Sequence, residues 1–281
     1  MSDDTPTPPR GNSLAGTTLL VTGSSRGIGL AIALAAARAG AAVAIVAKTE
    51  SPHPKLPGTI HDAAAAVEAA GGRALALACD IRDEAAVERA VAATAERFGG
   101  IDACVNNAGA IFLAGTLDTP VKRSDLLHQV NARGAYVVAR ACLPHLLRAP
   151  RPHILSICPP LSLDPRWYAP HPAYTLSKMG MSLTVLALAA EFRGRVAVNA
   201  LWPRTTIDTA AVRNLLGGEP LSRKSRTPAI MGDAALAILR RPVTESGGFH
   251  LDEDVLRAEG VTDFSPYAVT PGGPLQDDLF V

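Results

Sequence analysis

The sequence predicts a doubly wound α/β domain built on a parallel sheet of about seven strands. Two local patterns and one long-range rhythm carry that expectation. Leu19-Leu20-Val21-Thr22 is an apolar run that breaks at Gly23-Ser24-Ser25-Arg26-Gly27-Ile28-Gly29 and resumes as an Ala-rich stretch to Arg38. This reads as strand, glycine turn, helix. Residues 42–47 (AVAIVA) are apolar without alternation, as a strand covered on both faces requires. Beyond them, apolar runs and helical stretches alternate to about residue 251, the rhythm of repeated βα units in a Rossmann-type fold.

The elements follow in order. Residues 1–13 are acidic and proline-rich and read as a flexible lead-in. One domain is expected over 14–255, with no internal repeat, and a tail rich in Pro, Gly and Asp over 256–281. The first strand covers 17–22 and the first helix 28–38, with Gly40 at its stop; the second strand covers 42–47. Pro52, Pro54 and Pro57 forbid a helix through 51–58, where His53 and Lys55 either extend a phosphate site or decorate a loop. A helix over 59–70 ends at Gly71-Gly72, and a strand over 74–79 leads into Asp80-Ile81. A helix over 84–98 stops at Gly99-Gly100, and a strand over 103–105 opens into Asn106-Asn107-Ala108-Gly109. One long helix is expected over 123–148, carrying Asn131 and kinked near its end by Pro144. A strand over 153–157 precedes a proline-rich loop with Trp167 and Tyr168. An apolar helix to about residue 192, a strand over 195–201, helical segments over 209–216 and 229–240, and a strand over 248–251 complete the domain.

Bulk properties narrow the classes. The chain has 281 residues, 48% of them hydrophobic, and a net charge of +1. That is core enough for one large domain and gives no electrostatic reason to expect nucleic acid or an anionic membrane as partner. Cys79, Cys104, Cys142 and Cys158 lie far apart with no CxxC pair, which points to buried thiols in a reducing compartment, and no metal site is expected. The N-terminus lacks the basic and apolar regions of a secretory signal, and the longest apolar stretch, 179–190, is too short to span a bilayer. A cytoplasmic protein is expected.

The glycine turn is the first candidate site. Gly23 suits a tight turn, Gly27 and Gly29 let a phosphate approach the backbone, and the helix start offers free N–H groups and partial positive charge. Ser25 and Ile28 lie within the same turn. Lys48, just past the second strand, and Arg26 would attract the 2′-phosphate of NADP(H); as surface charges they would leave NAD(H) possible, and Glu50 pulls mildly that way. Asp80, at a strand end, either accepts from the adenine amino group or caps a turn. The small residues after Asn106 leave room for a ring. Tyr174 and Lys178, four apart on a helix, share one face. A neighbouring ammonium would lower the phenol's pKa and allow proton exchange with a carbonyl or alcohol near neutral pH.

The TGxxxGIG turn, the strand-end Asp80, Asn106-Asn107-Ala108-Gly109 and Tyr174-x-x-x-Lys178, in this order, resemble the short-chain dehydrogenase/reductase family over residues 14–251. Further stretches (PHPKLPGTI, LDTPVKR, PPLSLDPRW, AYTLSKMGMS and VNALWPRT) are similar to its hydroxysteroid dehydrogenase-like protein 2 branch, without the sterol-carrier domain some members add and without an SKL ending. The resemblance implies an NAD(P)-dependent oxidoreductase acting on a small carbonyl or alcohol, as a homodimer or homotetramer packed through the helices of Asn131 and Tyr174. It implies that Gly23, Ser25, Arg26, Gly27, Ile28, Gly29, Lys48, Asp80, Ile81, Asn107, Ala108, Gly109, Tyr174, Lys178, Pro203 and Thr205 bind the cofactor. Tyr174, Lys178 and Asn131 would be catalytic. Two departures stand out. The family's serine before the tyrosine has no clear counterpart: counting from the tyrosine gives Leu161 with Ser162 adjacent, and counting from the strand gives Cys158-Pro159 with Ser156 before it. The family's Pro-Gly after the sixth strand is Pro203-Arg204 here, so Arg204 either meets an anionic group or is a loop charge. A second reading from another class is a cofactor-binding sensor or scaffold with little turnover.

Overall fold

The computed structural model describes residues 13–52 and 57–281; the readings of His53, Lys55 and nearly all of the lead-in fall outside them. The elements run β1 (Thr18–Thr22), α1 (Gly27–Arg38), β2 (Ala42–Ala47), α2 (Ile60–Ala69), β3 (Arg73–Ala78), α3 (Glu84–Phe98), β4 (Ala103–Asn106), α4 (Val121–Leu127), α5 (Ala135–Leu146), β5 (His153–Ile157), α6 (Pro165–Tyr168), α7 (Pro172–Glu191), β6 (Ala197–Trp202), α8 (Gly218–Ser222), α9 (Ala229–Leu239), β7 (Phe249–Leu251) and α10 (Asp252–Ala258). The sheet order is β3-β2-β1-β4-β5-β6-β7, and every pairing is parallel. Winding therefore reverses between β1 and β4, in register through Leu19 with Ala103 and Val21 with Val105. A crevice opens there at the strands' carboxyl ends, and both the glycine turn and Asn107-Ala108-Gly109 sit on it.

Two cores flank the sheet. One joins α1, α2 and α9 through Ile32, Ala36, Ile60, Ile230 and Ala234; the other joins α3, α5 and α7 through Val87, Val91, Val138, Met181 and Val185. Gly232 lets α9 lie against α1, since a Cβ there would come within 2.7 Å of the Ala31 carbonyl oxygen. Local chemistry sets several boundaries. Thr59 and Asp62 form a reciprocal capping box at α2. The Asp83 side chain caps α3, and Gly99 ends it at φ 89°.

The structure differs from the sequence reading in several places, among them the helical segment expected over 209–216, which is a π-helical turn at Val212–Leu216 followed by α8, and the expected loop at Trp167 and Tyr168, which holds the short α6. The expected helix 123–148 is two α-helices joined by a π-helical turn, His128–Gly134. Residues 256–281 are no loose tail: the expected boundary at 255 falls inside α10, and the chain then runs back across the sheet's carboxyl edge until Phe280 is buried. Helix α7, of mean hydropathy 1.2, would pass as a membrane span by length and composition, yet 56% of its apolar window is buried within the fold.

Candidate active site

The glycine turn is held by specific collisions and bonds. Gly23 takes φ 66°, and a Cβ there would lie 2.8 Å from the Ala108 Cα; one on Gly29 would strike Asn107 Nδ2 and the Gly23 oxygen. Asn107 Nδ2 donates to the carbonyls of Thr22 and Gly23 at 2.9 and 3.1 Å, tying β4 to β1. Thr22 Oγ1 accepts the backbone N–H groups of Asn107 and Ala108. Helix α1 starts behind an extended Arg26 with no side-chain cap and no acid in its first turn, so its leading N–H groups face the crevice free for an anion. Opposite, a Cβ on Gly27 would lie 3.4 Å from Thr209 Cγ2. Pro203 is buried, and the buried Thr205 Oγ1 has no hydrogen-bond partner. An uncapped helix start suits a dinucleotide's phosphates. Ser25 is buried in this turn and Ile28 is half-buried.

At the adenosine end, Lys48 is exposed just past β2. Arg26 is less free than the sequence suggested: its Nε donates to the Pro57 carbonyl and a terminal nitrogen to that of Gly58, at 3.0 and 2.6 Å. Asp80 is clasped by Arg82, whose Nε donates to its two oxygens at 2.9 and 3.0 Å. That bond holds the carboxyl below its ordinary value, and Lys48 adds to it. Ile81 is buried against Gly134, where a Cβ would lie 2.6 Å from the Ile81 Cδ1.

Tyr174 and Lys178 sit one turn apart near the start of α7, 5% and 6% exposed. Lys178 Nζ donates to the Ile157 carbonyl at the end of β5, at 2.8 Å, and lies 5.1 Å from the centre of the Trp202 ring. Burial lowers its pKa to about 8. The expected lowering of the Tyr174 pKa is corrected. Burial pushes the phenol above its ordinary value, and the Asp278 carboxylate pushes it further. The π turn aims Asn131 inward. Its Oδ1 accepts the Ala110 N–H at 2.8 Å, and its Nδ2 donates to the Ala110 carbonyl at 3.0 Å and to Ser177 Oγ at 2.9 Å. Gly109 stands between Asn131 and Lys178, its missing Cβ 3.5 Å from Asn131 Oδ1 and 4.0 Å from Lys178 Nζ.

The serine candidates fall elsewhere. Ser162 Oγ accepts the Asp164 N–H at 3.2 Å, and the Ser162 carbonyl accepts from the Tyr168 hydroxyl, so this residue organises its own loop. Ser156 is buried within β5, paired with Asn106. The strand-side position holds Cys158, fully buried, its thiol pushed up to about 11 by burial. Arg204 is answered by acids on α10: its guanidinium meets both Asp254 oxygens at 2.8 Å and its N–H meets Asp252 Oδ1 at 2.9 Å.

Sequence reasoning missed residues 276–280. Their backbone pairs with the loop after β6, through Thr206 N–H to the Gln276 oxygen (2.9 Å) and Asp278 N–H to the Arg204 oxygen (3.0 Å). Trp202 Nε1 donates to the Leu279 carbonyl at 2.7 Å. This brings the Asp278 carboxyl to Lys178, and burial raises it to about 7. The Phe280 ring centre lies 6.4 Å from that of Tyr174. The one signal available was the apolar triplet Leu279-Phe280-Val281 after a stretch of Pro, Gly and Asp. A groove of about 630 Å³ between α3 and α5, lined by Glu88, Val91, Arg140, Leu143 and Pro144 among others, includes none of these side chains and is not the site.

The short chain dehydrogenase family model matches residues 17–219. The chain belongs to the short-chain dehydrogenase/reductase family. Its similarity is to that family's hydroxysteroid dehydrogenase-like protein 2 branch. Hydroxysteroid dehydrogenase-like protein 2 of Danio rerio is 55% identical over 268 residues, 95% of this chain and 64% of its own; the Homo sapiens protein is 51% identical over 273 residues, 97% of this chain and 65% of its own. The chain thus spans about two thirds of these relatives' length. Among solved structures, a dehydrogenase from Xanthomonas campestris is 60% identical with a TM-score of 0.93, covering 96% of this chain and 99% of that one. A short chain dehydrogenase from Mycobacterium thermoresistibile is 51% identical with a TM-score of 0.91, covering 96% of each chain. The family match stops at residue 219, short of the segment that reaches Tyr174.

Proposed function

We propose that this oxidoreductase transfers a hydride between NADP(H) and a carbonyl/alcohol pair, with Tyr174 as proton donor or acceptor. The observation that carries the reading is the buried Tyr174–Lys178 pair at the mouth of the crevice that also holds the glycine turn and the uncapped start of α1. When bound, the nicotinamide supplies or accepts the hydride. The chain's own residues do the rest. The α1 N-terminus and the 23–29 turn bind the pyrophosphate, Lys48 and the Arg26 charge favour a 2′-phosphate, and Asp80 and Ile81 border the adenine. Asn107, Ala108 and Gly109 form the floor beneath the nicotinamide half, with Pro203 and Thr205 across from them. Tyr174 gives its proton to the substrate oxygen as the carbonyl is reduced. Lys178 stabilises the phenolate left behind, and Asn131 fixes the backbone beside Lys178. The assembly would be a homodimer or homotetramer and the compartment the cytoplasm.

The test is a titration with NADPH and NADH followed by reduced-nicotinamide fluorescence. NADPH should bind more tightly, Lys48→Glu should erase that preference, and Tyr174→Phe should keep binding while lowering turnover by roughly 10²–10⁴-fold. Equal binding of both cofactors would remove the role given to Lys48. A second reading, a cofactor-binding protein with little turnover, is favoured by one observation: the strand-side position of the family's serine holds the buried Cys158, and the Ser162 hydroxyl serves the Asp164 N–H. Tight NADPH binding with no carbonyl reduced by the wild type, and hence no effect of Tyr174→Phe, would establish it.

A further inference from the structure

The space beside the Tyr174 ring is already occupied, by this chain. The Phe280 ring centre lies 6.4 Å from that of Tyr174, 5.7 Å from Trp167 and 5.8 Å from Trp202, the last at 69°. These are the distances and tilts of packed aromatic pairs, and Phe280 is only 5% exposed. The clamp around it is rigid. Trp202 is fixed by its bond to the Leu279 carbonyl. The Trp167 carbonyl accepts from Thr175 Oγ1 at 2.6 Å, which pins the loop to α7.

The segment carrying Phe280 is anchored up to the residue before it. Gln276, Asp277 and Asp278 each pair with the loop after β6, Asp277 through an antiparallel bridge to Thr205, and the Leu279 carbonyl accepts from Trp202 at the end of β6. Phe280 itself sits at φ 74°, the one non-glycine residue with positive φ among those described. An aromatic residue avoids that region unless its surroundings impose it. A fixed rail thus ends in a strained residue whose ring fills an aromatic slot beside the Tyr174 ring. Relaxing that one φ swings the ring out without lifting the rail.

We propose that Phe280 stands in for the substrate: the slot between Trp167 and Trp202 is the subsite for an uncharged ring or branched apolar group beside the reacting carbonyl, and substrate enters by displacing the Phe280 ring. The class is therefore a ketone or aldehyde, or the matching alcohol, with an apolar body about the size of a phenyl or cyclohexyl group. Small carbonyls such as acetone cannot refill the slot. Anionic bodies are disfavoured by the aromatic walls. This rests on the reading of Tyr174 as the proton donor, and the test separates the two.

The chain's two tryptophans both line the slot, so intrinsic fluorescence reports on it directly. Acrylamide quenching is measured on wild type, Phe280→Ala and Phe280→Leu, each checked by circular dichroism, with 1-cyclohexylethanol or ethanol as added ligand. Phe280→Ala should expose the tryptophans, with quenching up by about twofold. 1-Cyclohexylethanol should restore their protection and ethanol at the same concentration should not; Phe280→Leu, which keeps the slot part-filled, should lie between. In NADPH oxidation assays, Phe280→Ala should raise kcat/KM for cyclohexyl methyl ketone relative to acetone by about tenfold, because the competing occupant is gone. Equal quenching of folded Phe280→Ala and wild type, or no protection by 1-cyclohexylethanol, overturns the subsite whatever the activity. Should the alanine variant not fold, the leucine variant is read by the same criteria. Protection without NADPH oxidation by either ketone keeps the slot as an apolar ligand site and overturns its role as a substrate site together with the reductase reading.

Discussion

Asp278 gives the sharpest test of how the 276–280 segment is docked. Its carboxyl is raised from an ordinary 3.8 to about 7, chiefly by burial; Asp252 raises it further, while the Leu279 N–H and the Lys178 ammonium pull the other way. The sign follows from linkage. Below about pH 4 the folded and unfolded carboxyls are both protonated and cost nothing. Between pH 4 and 7 the unfolded chain ionises while the folded one resists, so stability falls as pH rises; above pH 7 the loss is complete. A rise from 3.8 to about 7 amounts to about 4 kcal/mol at the upper limit. Asp278→Asn removes that loss. It keeps an oxygen for the Leu279 N–H, which now bonds Oδ1 at 2.7 Å, but it buries an amide N–H₂ at a cost of about 1–3 kcal/mol and gives up the attraction for Lys178. The variant should therefore be no more stable than wild type at pH 5 and more stable by about 1–3 kcal/mol at pH 8, a gain of roughly 2–4 °C in Tm per kcal/mol. Thermal melts at both pH values decide it. If the difference between variant and wild type is the same at pH 5 and pH 8, Asp278 does not titrate in the folded site and the docking argued here is wrong.

Asn131→Ala removes three hydrogen bonds and leaves both polar groups of Ala110 without partners; it should cost roughly 2–4 kcal/mol in chemical denaturation, and a loss under 1 kcal/mol would mean that the π turn does not depend on this side chain. Ser162→Ala should leave carbonyl reduction within about twofold, since its Oγ serves the Asp164 N–H; a hundredfold loss, the size expected for a missing hydrogen-bond donor to substrate oxygen, would return Ser162 to the reacting centre. Gly29→Ala, whose Cβ would strike Asn107 Nδ2 and the Gly23 oxygen, should abolish NADPH binding in the same fluorescence titration and lower Tm; unchanged affinity would place the phosphates elsewhere.

What the sequence disclosed, it disclosed where structure is set locally. Residues 42–47, 84–98 and 153–157 begin and end as expected, because an apolar run, a capping aspartate and a left-handed glycine act within a few residues of the boundary. The π turn at 128–134 was not legible: its sequence is an ordinary helical one, and what selects the wider turn is the bonding of Asn131 to Ala110, 21 residues away. The direction of the Tyr174 shift was hidden for the same reason. A YxxxK pair shows the lysine, but not the Asp278 and Phe280 that come from a hundred residues further on. A stretch of Pro, Gly and Asp has the composition of a tail, and only its partners, Trp167 and Trp202, make it part of the core.

Arg204 links these observations. The family's Pro-Gly leaves a flexible step after the sixth strand, whereas here the step is stiffened at three points. The Arg204 guanidinium binds Asp254, its N–H binds Asp252, and its carbonyl accepts the Asp278 N–H. Glu253, on the same turn of α10, is buried in ion pairs with Arg226 and Arg257. The charge at 204 is therefore spent on α10, which leaves no free cation there for an anionic substrate. What it gains is a fixed edge along residues 202–206, on which Gln276–Leu279 can pair. The cofactor half of the site is built from motifs local to the matched stretch. On the proposed reading, the substrate half is built from this departure and from a segment beyond the family model's 17–219 match, so substrate choice could diverge within the family while the cofactor site stays the same.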